Sequence, residues 1–237
     1  MRSRTEALPD GVSLEETRRG VALLRRAAEI VREDGPLALI DRILGETVYR
    51  RLWVFAKRLD EEWPSLEAKI PLECARLAPE EVGELAGLHP DVSVEEARAR
   101  LARGHRCYVA RRRGRLVHAA WLGFGRVWVP YLGCWLVLEP GDAYLYQSWT
   151  LSEYRRKGAA AVRAATMLEE LRREGWRRVI GAVMPRARAA LAVPQAFGYP
   201  LCGVIGYYAW GRRRRLFYRP LTVDAPRLRL EERGGNG

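Results

Sequence analysis

The most informative motif of this sequence is Leu151-Ser152-Glu153-Tyr154-Arg155-Arg156-Lys157-Gly158-Ala159-Ala160-Ala161. The run before it, 143–150, is rich in aromatic and β-branched residues and is typical of a strand. After it, apolar residues recur at helical spacing from Val162 to Leu171. A strand that passes through a short basic glycine turn into a helix leaves unpaired amides at the positive end of the helix dipole. Such a place favours a phosphate or a diphosphate.

Two interpretations fit this turn. Because short glycine motifs often match by chance, the stretch also fits an ordinary strand-to-helix turn with a solvated basic face. The residue types favour a more specific interpretation, since Arg155-x-x-Gly158-x-Ala160 resembles the Arg/Gln-x-x-Gly-x-Gly/Ala signature of the GNAT N-acetyltransferase superfamily. In that family the loop binds the pyrophosphate of acetyl-CoA. The resemblance therefore implies a site for acetyl-CoA or another acyl-CoA.

A second segment supports the same family. Ala187 to Tyr199 resembles the family's Asn-Arg-Ala-Ser-Leu-x-hydrophobic-Tyr-Glu-Lys-Leu-Gly-Phe segment. Two separated motifs in the right order are more specific than either alone, and the strands and helices expected over 70–220 also follow the order of the GNAT fold. The resemblance implies an α/β fold in which helices flank a mixed, mostly antiparallel sheet.

The amino-acid composition limits the classes of protein to which this sequence can belong. With 237 residues and 48% hydrophobic content, the chain is long enough for one sizeable domain and an extension. No apolar run is long enough to span a membrane, and the N-terminus lacks a secretory signal, so we expect a cytoplasmic protein. A net charge of +12 favours polyanions in general, but no nucleic-acid motif accompanies it, so no specific nucleic-acid partner is expected. The four cysteines and three histidines show no metal-ligand spacing, so no metal site is expected.

The chain divides into four predicted segments. Residues 1–12 are expected to be disordered, and residues 13–67 to form a helical N-terminal extension that begins at the capping box Ser13-x-x-Glu16. Its second amphipathic helix, 37–59, suits contact with a membrane surface or a partner, although packing on the following domain is favoured. Residues 68–222 form the GNAT-like domain, and the tail 223–237 is expected to be disordered.

The resemblance implies which residues hold the acyl donor. The backbone of Trp149, Thr150 and Leu151 would pair with the pantetheine arm and polarise the thioester carbonyl. The residues that would contact the pyrophosphate are Arg155, Arg156, Lys157, Gly158, Ala159 and Ala160.

The catalytic residues are less well defined. The family's second segment usually carries an Asn and a Tyr, but this chain has Ala187 and Pro194, so no side-chain acid exists at either position. Other hydroxyl groups are therefore candidate acids, namely Tyr199 and Tyr207, with Tyr146 and Tyr208. His118 is the candidate base by its ordinary pKa, and Asp142, Glu153 and a water on Gln147 are alternatives. Each of these side chains also fits a structural role, and Cys134 and Cys202 remain open as acyl carriers.

The acceptor pocket is expected to be aromatic. Its predicted lining includes Trp128, Tyr131, Trp135 and Tyr146, which favours an apolar or bulky acceptor, or an acyl group longer than acetyl. The predicted function is transfer of an acetyl or other acyl group from acyl-CoA to a primary amine. The alternative is a non-catalytic module with a degenerate site that binds acyl-CoA, a protein or a membrane. A second copy of the chain, in a homodimer, is a further candidate partner.

Overall fold

The computed structural model describes residues 48–88, 92–210 and 213–232. They belong almost wholly to one compact unit, which starts at Arg50. In chain order, the strands are β1 (Tyr49–Arg58), β2 (Glu73–Arg76), β3 (Arg106–Arg112), β4 (Arg115–Phe124), β5 (Arg126–Val129), β6 (Cys134–Val137), β7 (Asp142–Thr150), β8 (Arg178–Val183), β9 (Leu201–Trp210), β10 (Arg213–Pro220) and β11 (Arg229–Glu232). The α-helices are α1 (Val94–Ala102), α2 (Ala159–Arg173) and α3 (Arg188–Ala196), and Pro79–Gly87 and Ser152–Tyr154 form 3-10 helices.

Eight strands form the main sheet, in the order β10-β9-β1-β8-β7-β4-β3-β2. The hairpin β3–β4 and its neighbours β2 and β7 pair antiparallel, whereas β7 and β8 run parallel. The predicted mixed, mostly antiparallel sheet flanked by helices is therefore confirmed. A parallel pair requires a crossover, and α2 supplies it.

The prediction of a helix over 37–59 is wrong for residues 49–58, which form strand β1. This strand pairs antiparallel with β8, from Trp53↔Val183 to Arg58↔Arg178. Its apolar side chains are buried in the core rather than turned toward a membrane or partner, as Val54 and Phe55 show. The sheet thus extends upstream of the predicted boundary at residue 68. The rest of the predicted extension, including the helix from Ser13, lies outside the described residues.

After β1 the chain follows α2 from its C-terminal end to its N-terminal end. Near the C-terminal end, Arg172 donates to the carbonyl of Leu59 at 2.6 Å and lies 3.8 Å from the ring centroid of Trp63. At the other end, the amide of Lys69 donates to the carbonyl of Lys157 at 3.0 Å. The segment 59–69 therefore holds the start of α2 in place.

A second sheet, in the order β11-β6-β5, covers part of one face of the main sheet. Strand β11 lies in the tail that was expected to be disordered, and that prediction is wrong for residues 229–232. They pair with β6 from Arg229↔Val137 to Glu232↔Cys134. Leu228 and Leu230 pack with the core cluster between the two sheets. Residues 1–12 and 233–237 lie outside the described residues.

The opposite face of the main sheet is covered by α2 and α3. Met167, Leu168 and Leu171 of α2 are fully buried there with Phe197. A third cluster joins the 3-10 helix Pro79–Gly87 and α1 to β3 and β4. Helix α1 begins after Ser93, whose hydroxyl accepts from the Glu96 amide at 3.1 Å. Among the helices within the described ranges, none has both the length and the apolarity needed to cross a bilayer.

Candidate active site

The parallel strands β7 and β8 separate halfway along β7. Their register runs from Asp142↔Arg178 only to Leu145↔Gly181. Within the described strands, the second half of β7, 146–150, therefore pairs with β4 alone. An extended ligand with amide groups can hydrogen-bond to such a free strand edge.

A bulge lies where the two strands separate. Trp121 of β4 pairs with Tyr146 and Ala119 pairs with Trp149, so Gln147 and Ser148 together oppose one residue of β4. Gln147 adopts a φ of 45°, which is uncommon outside glycine. The bulge bends β7 away from β8.

The predicted cofactor residues follow this free edge without interruption. Trp149 and Thr150 end β7, and the amide of Leu151 donates to the carbonyl of Val117 at 3.0 Å. The Leu151 amide is therefore not available to polarise a thioester carbonyl. Because strand amides alternate in direction, the amide of Thr150 faces the opening instead.

The turn before α2 has the left-handed backbone conformation that a glycine at position 158 favours. Gly158 is the N-cap residue with a φ of 92°, and Arg156 adopts a φ of 60°. A Cβ atom on Gly158 would lie 2.7 Å from the Cα of Ala68, so no side chain fits there. Arg155 and Arg156 are exposed, and Ala159 is buried at the helix start. A helix start with orphan amides, exposed cations and a glycine fits a diphosphate group.

His118 lies on β4 beside the end of β7. Its Nδ1 is 2.7 Å from the Oγ1 of Thr150, and the Nε of Arg163 lies 3.3 Å from its Nε2. Since a guanidinium can only donate, Nε2 must accept, and Nδ1 carries the proton and donates to Thr150. Burial, and then the charge of Arg163, hold the His118 pKa well below 6.5. His118 is therefore neutral with its lone pair occupied, which disfavours the predicted role of general base.

Arg163 itself is buried on α2. In the described part of the chain, its hydrogen-bond partners are His118 and the Sδ of Met167, and no carboxylate is among them. Burial lowers the pKa of the guanidinium to about 10. Arg163 therefore donates to His118, and His118 donates to Thr150. The hydroxyl proton of Thr150 can then be donated to another acceptor.

Tyr199, Tyr207 and Tyr208, which were predicted as candidate acids, lie in different parts of the fold. Tyr199 is buried under α2 and α3, and its hydroxyl has no partner among the described residues. Burial raises its pKa. Tyr207 lies in the cluster between the two sheets, with the Arg214 guanidinium 4.1 Å from its ring centroid. Tyr208 is more than half exposed.

Other candidates from the sequence are tied to structural contacts. Asp142 is buried against Arg178, and Glu153 is exposed and 3.3 Å from Arg115. Cys134 and Cys202 are buried, and burial raises the pKa of each thiol to about 11. Both cysteines are thus protonated at neutral pH and are poor nucleophiles.

A cavity of about 340 Å³ lies beside the bulge, between α1, the start of β3, the β5–β6 hairpin and β7. Of the predicted acceptor-binding residues, Trp128, Trp135 and Tyr146 line it, whereas Tyr131 does not. The Tyr131 ring instead lies 5.1 Å from the guanidinium of Arg50. The remaining lining residues are Glu96, Arg100, Arg103, His105, Phe124, Arg126, Val127, Pro130 and Gln147.

His105 is a lining residue that was not among the residues predicted from the sequence for this site. Helix α1 ends at Ala102, and Gly104, whose φ is 82°, turns the chain so that the amide of His105 donates to the Arg100 carbonyl at 3.0 Å. This turn places the His105 Nδ1 2.6 Å from the Tyr146 hydroxyl. Burial, then Arg103 and Arg100, lower the His105 pKa below 6.5, so the ring is neutral at neutral pH. No local pattern marks this residue, because its partner is 41 positions away.

Arg100 is also missed by the sequence interpretation. Its Nε donates to Glu96 at 2.9 Å, its Nη1 donates to the side chain of Gln147, and it lies over the rings of Trp121 and Tyr146. The only signal in the sequence was the i,i+4 spacing of Glu96 and Arg100 on α1. This residue ties α1 to the bulge.

Comparison with solved structures finds several matches at low sequence identity. An N-acetyltransferase from Staphylococcus aureus Mu50 is 13% identical, with 64% of this chain and 98% of that chain covered and a TM-score of 0.44. A ribosomal-protein-alanine N-acetyltransferase from Brucella melitensis is 18% identical, with 62% and 97% covered and a TM-score of 0.46. An acetyltransferase of the GNAT family from Novosphingobium aromaticivorans is 19% identical, with 66% and 63% covered and a TM-score of 0.46.

Among curated proteins, none matches this sequence. The model of the Acetyltransferase (GNAT) family matches residues 72–199, which is more than half of the chain. Both sequence motifs and the separated pair β7–β8 fall within that range. The chain therefore belongs to the GNAT acetyltransferase family.

Proposed function

We propose that this protein is an N-acyltransferase that moves an acetyl or other acyl group from acyl-CoA to a primary amine. The observation that carries the proposal is the continuity of the free half of β7. At one end it leads into the basic turn at Gly158, and at the other it reaches the cavity at Tyr146 and Gln147. Donor and acceptor would thus meet at the bulge.

Acyl-CoA would supply a thioester whose acyl carbon an amine can attack. The amides at the start of α2, with Arg155, Arg156 and Lys157, would hold its diphosphate. The edge of 146–150 that faces away from β4 would pair with the amide-bearing arm of acyl-CoA, and the Thr150 amide would be one of the donors. The Leu151 amide is not among the proposed donors to acyl-CoA, because it already donates to the Val117 carbonyl.

The acceptor amine must be uncharged to attack. Arg100, Arg103 and Arg126 surround the cavity, and a positive field lowers the pKa of a bound ammonium group. Neutral His105, held at Nδ1 by Tyr146, is the residue best placed to accept the amine proton at Nε2. His105 thus replaces His118 as the proposed base.

At its two motif positions, the second segment lacks the family's usual tyrosine, which would protonate the leaving thiolate. Ala187 precedes α3 and Pro194 lies within it, so neither supplies an acidic proton. A thiolate leaves without assistance more readily than an alkoxide, and a missing general acid costs about 10²- to 10⁴-fold in rate. A slow enzyme is therefore compatible with these substitutions.

Two measurements test the proposal. Isothermal titration with CoA and acetyl-CoA should give binding that Gly158→Glu abolishes, and release of free CoA thiol should depend on an added amine. Binding without amine-dependent thiol release would favour the alternative, a non-catalytic acyl-CoA-binding module. Absence of binding by CoA, acetyl-CoA and longer acyl-CoA would refute both.

A further inference from the structure

The charges around the cavity are unbalanced. Among its described lining residues, three guanidinium groups face one carboxylate, that of Glu96. Both Arg100 and Arg103 contact the same Oε1 of Glu96, at 2.9 Å and 3.5 Å. Burial, and then the charges of Arg103 and Arg100, lower the pKa of His105. A cationic acceptor would be repelled from this cavity.

The three arginines differ in how firmly they are held. Arg100 is nearly buried and is committed to Glu96 and Gln147. The side chain of Arg103 is 55% exposed, and among the described residues its one ion pair is the 3.5 Å contact to Glu96. Arg126 is 52% exposed, and it pairs with Glu231 at 3.0 Å and lies 4.6 Å from the Trp135 ring centroid. Arg103 and Arg126 are therefore the cations that an incoming anion can reach.

The apolar part of the lining lies beside these two cations. Trp128 and Trp135 pack edge to face, with ring centroids 5.2 Å apart. Aromatic walls of this kind suit a flat apolar group, while a guanidinium binds a carboxylate through two parallel hydrogen bonds.

On these grounds, and resting on the proposed function, we propose that the acceptor is an amine that also carries a carboxylate and an apolar group, as an aromatic amino acid does. Arg103 and Arg126 bind the carboxylate, and Trp128 and Trp135 contact the apolar group. Polycationic amines are excluded as good acceptors.

Product analogues test this without requiring turnover. N-acetylphenylalanine and N-acetyl-2-phenylethylamine differ only in the carboxylate, and their affinities can be measured by calorimetry on the full chain with CoA present. We expect the acid to bind at least about tenfold more tightly, because a hydrogen-bonded charge pair contributes about that much, and to lose its advantage at high salt.

Variants assign the effect to the two arginines. Arg103→Gln with Arg126→Gln should bring the two affinities together, whereas Arg173→Gln, which removes an exposed arginine on α2, should leave the preference intact. If the double variant does not fold, Arg103→Gln alone should still reduce the preference. Equal affinities in the unmodified protein, a preference that survives the variants, or failure of both analogues to bind would overturn the inference.

The same samples separate this inference from the proposed function. CoA binding with transfer to 2-phenylethylamine at least as efficient as transfer to phenylalanine would overturn the acidic acceptor alone. Loss of CoA binding itself would overturn the proposed function.

Discussion

Asp142 and Arg178 face each other as register partners at the start of β7 and β8, and their side chains form a two-point ion pair. The Nε of Arg178 lies 3.1 Å from Oδ1 of Asp142, and its Nη2 lies 3.0 Å from Oδ2. Arg177 adds a third contact at 3.3 Å. The pair fixes the closed end of the two strands, so the separation that creates the site occurs at the other end.

Asp142→Asn should destabilise the protein strongly. Asp142 is 1% exposed, and breaking a buried ion pair costs about 3–5 kcal/mol when the other charge is left without a partner. Because Glu139 lies 3.7 Å from Arg178 and remains in the variant, we expect a loss at the lower end of that range. Urea unfolding measures the loss. Asp60→Asn is the control, since the Arg58–Asp60 pair has similar geometry but is exposed, and little change is expected. Equal losses of unfolding free energy in the two variants would contradict the proposal that the Asp142–Arg178 pair fixes this end of the strands.

Gly158→Ala should weaken both stability and CoA binding. The residue adopts a φ of 92° and the new Cβ would meet Ala68 at 2.7 Å, so we expect a cost of about 1–3 kcal/mol. Thermal unfolding and calorimetry with CoA provide the two readings. Gly175→Ala shares the positive φ but meets no atom within 4 Å, so it should cost less and leave CoA affinity unchanged. Unchanged CoA affinity in Gly158→Ala would argue against this turn as the diphosphate site.

His118 should make the fold sensitive to acid. Its pKa in the folded protein lies below the ordinary value of 6.5, so the unfolded chain binds more protons between the two values. Stability is therefore greatest above pH 6.5 and is lost as the pH falls toward the folded pKa, with a slope of at most about 1.4 kcal/mol per pH unit from this group.

The test of this behaviour is His118→Gln, which retains an acceptor for Arg163 and a donor for Thr150 but does not titrate. The urea midpoint of the variant should fall less between pH 7.5 and pH 5 than that of the unmodified protein. A residual fall is expected from His105, whose pKa is also lowered. An identical fall in both proteins would show that His118 is not the acid-sensitive group.

His105→Gln should reduce the rate of acyl transfer without changing the affinity for the acyl donor. Loss of a general base lowers kcat by about 10²- to 10⁴-fold, while CoA affinity should not change because the turn at Gly158 is intact. In the unmodified protein, the acid limb of the pH–rate profile should lie below pH 6.5, and the variant should lack that limb. A variant that keeps both the rate and the acid limb would assign the base elsewhere.

Much of the local structure could be predicted from the sequence. The hairpin about Gly114, the start of α1 at Ser93, and the turn and helix after Leu151 each depend on residues close together in the chain. Capping, glycine conformation and apolar periodicity act over a few residues, so their patterns are readable without a fold. The family's cofactor loop belongs to this class, and its residues lie together in the structure.

The errors fall where partners are distant in sequence. In residues 49–58 an apolar run from Leu52 to Ala56 is flanked by basic pairs, which fits a helix or a strand. Pairing with β8, about 120 to 130 residues later, selects the strand. Strand β11 likewise depends on pairing with β6, more than 90 residues earlier in the chain. The contact of His105 with Tyr146 and that of His118 with Arg163 also join residues more than 40 positions apart, so the sequence pattern gave neither.

The sequence by itself determined the turn from Leu151 to Ala161 and the family, because both depend on local conformation and residue identity. Tertiary structure alone decided where β7 leaves β8, which strands complete the sheet, and which charges surround the cavity. These depend on hydrogen bonds and burial between segments far apart in the chain, and no local pattern encodes them.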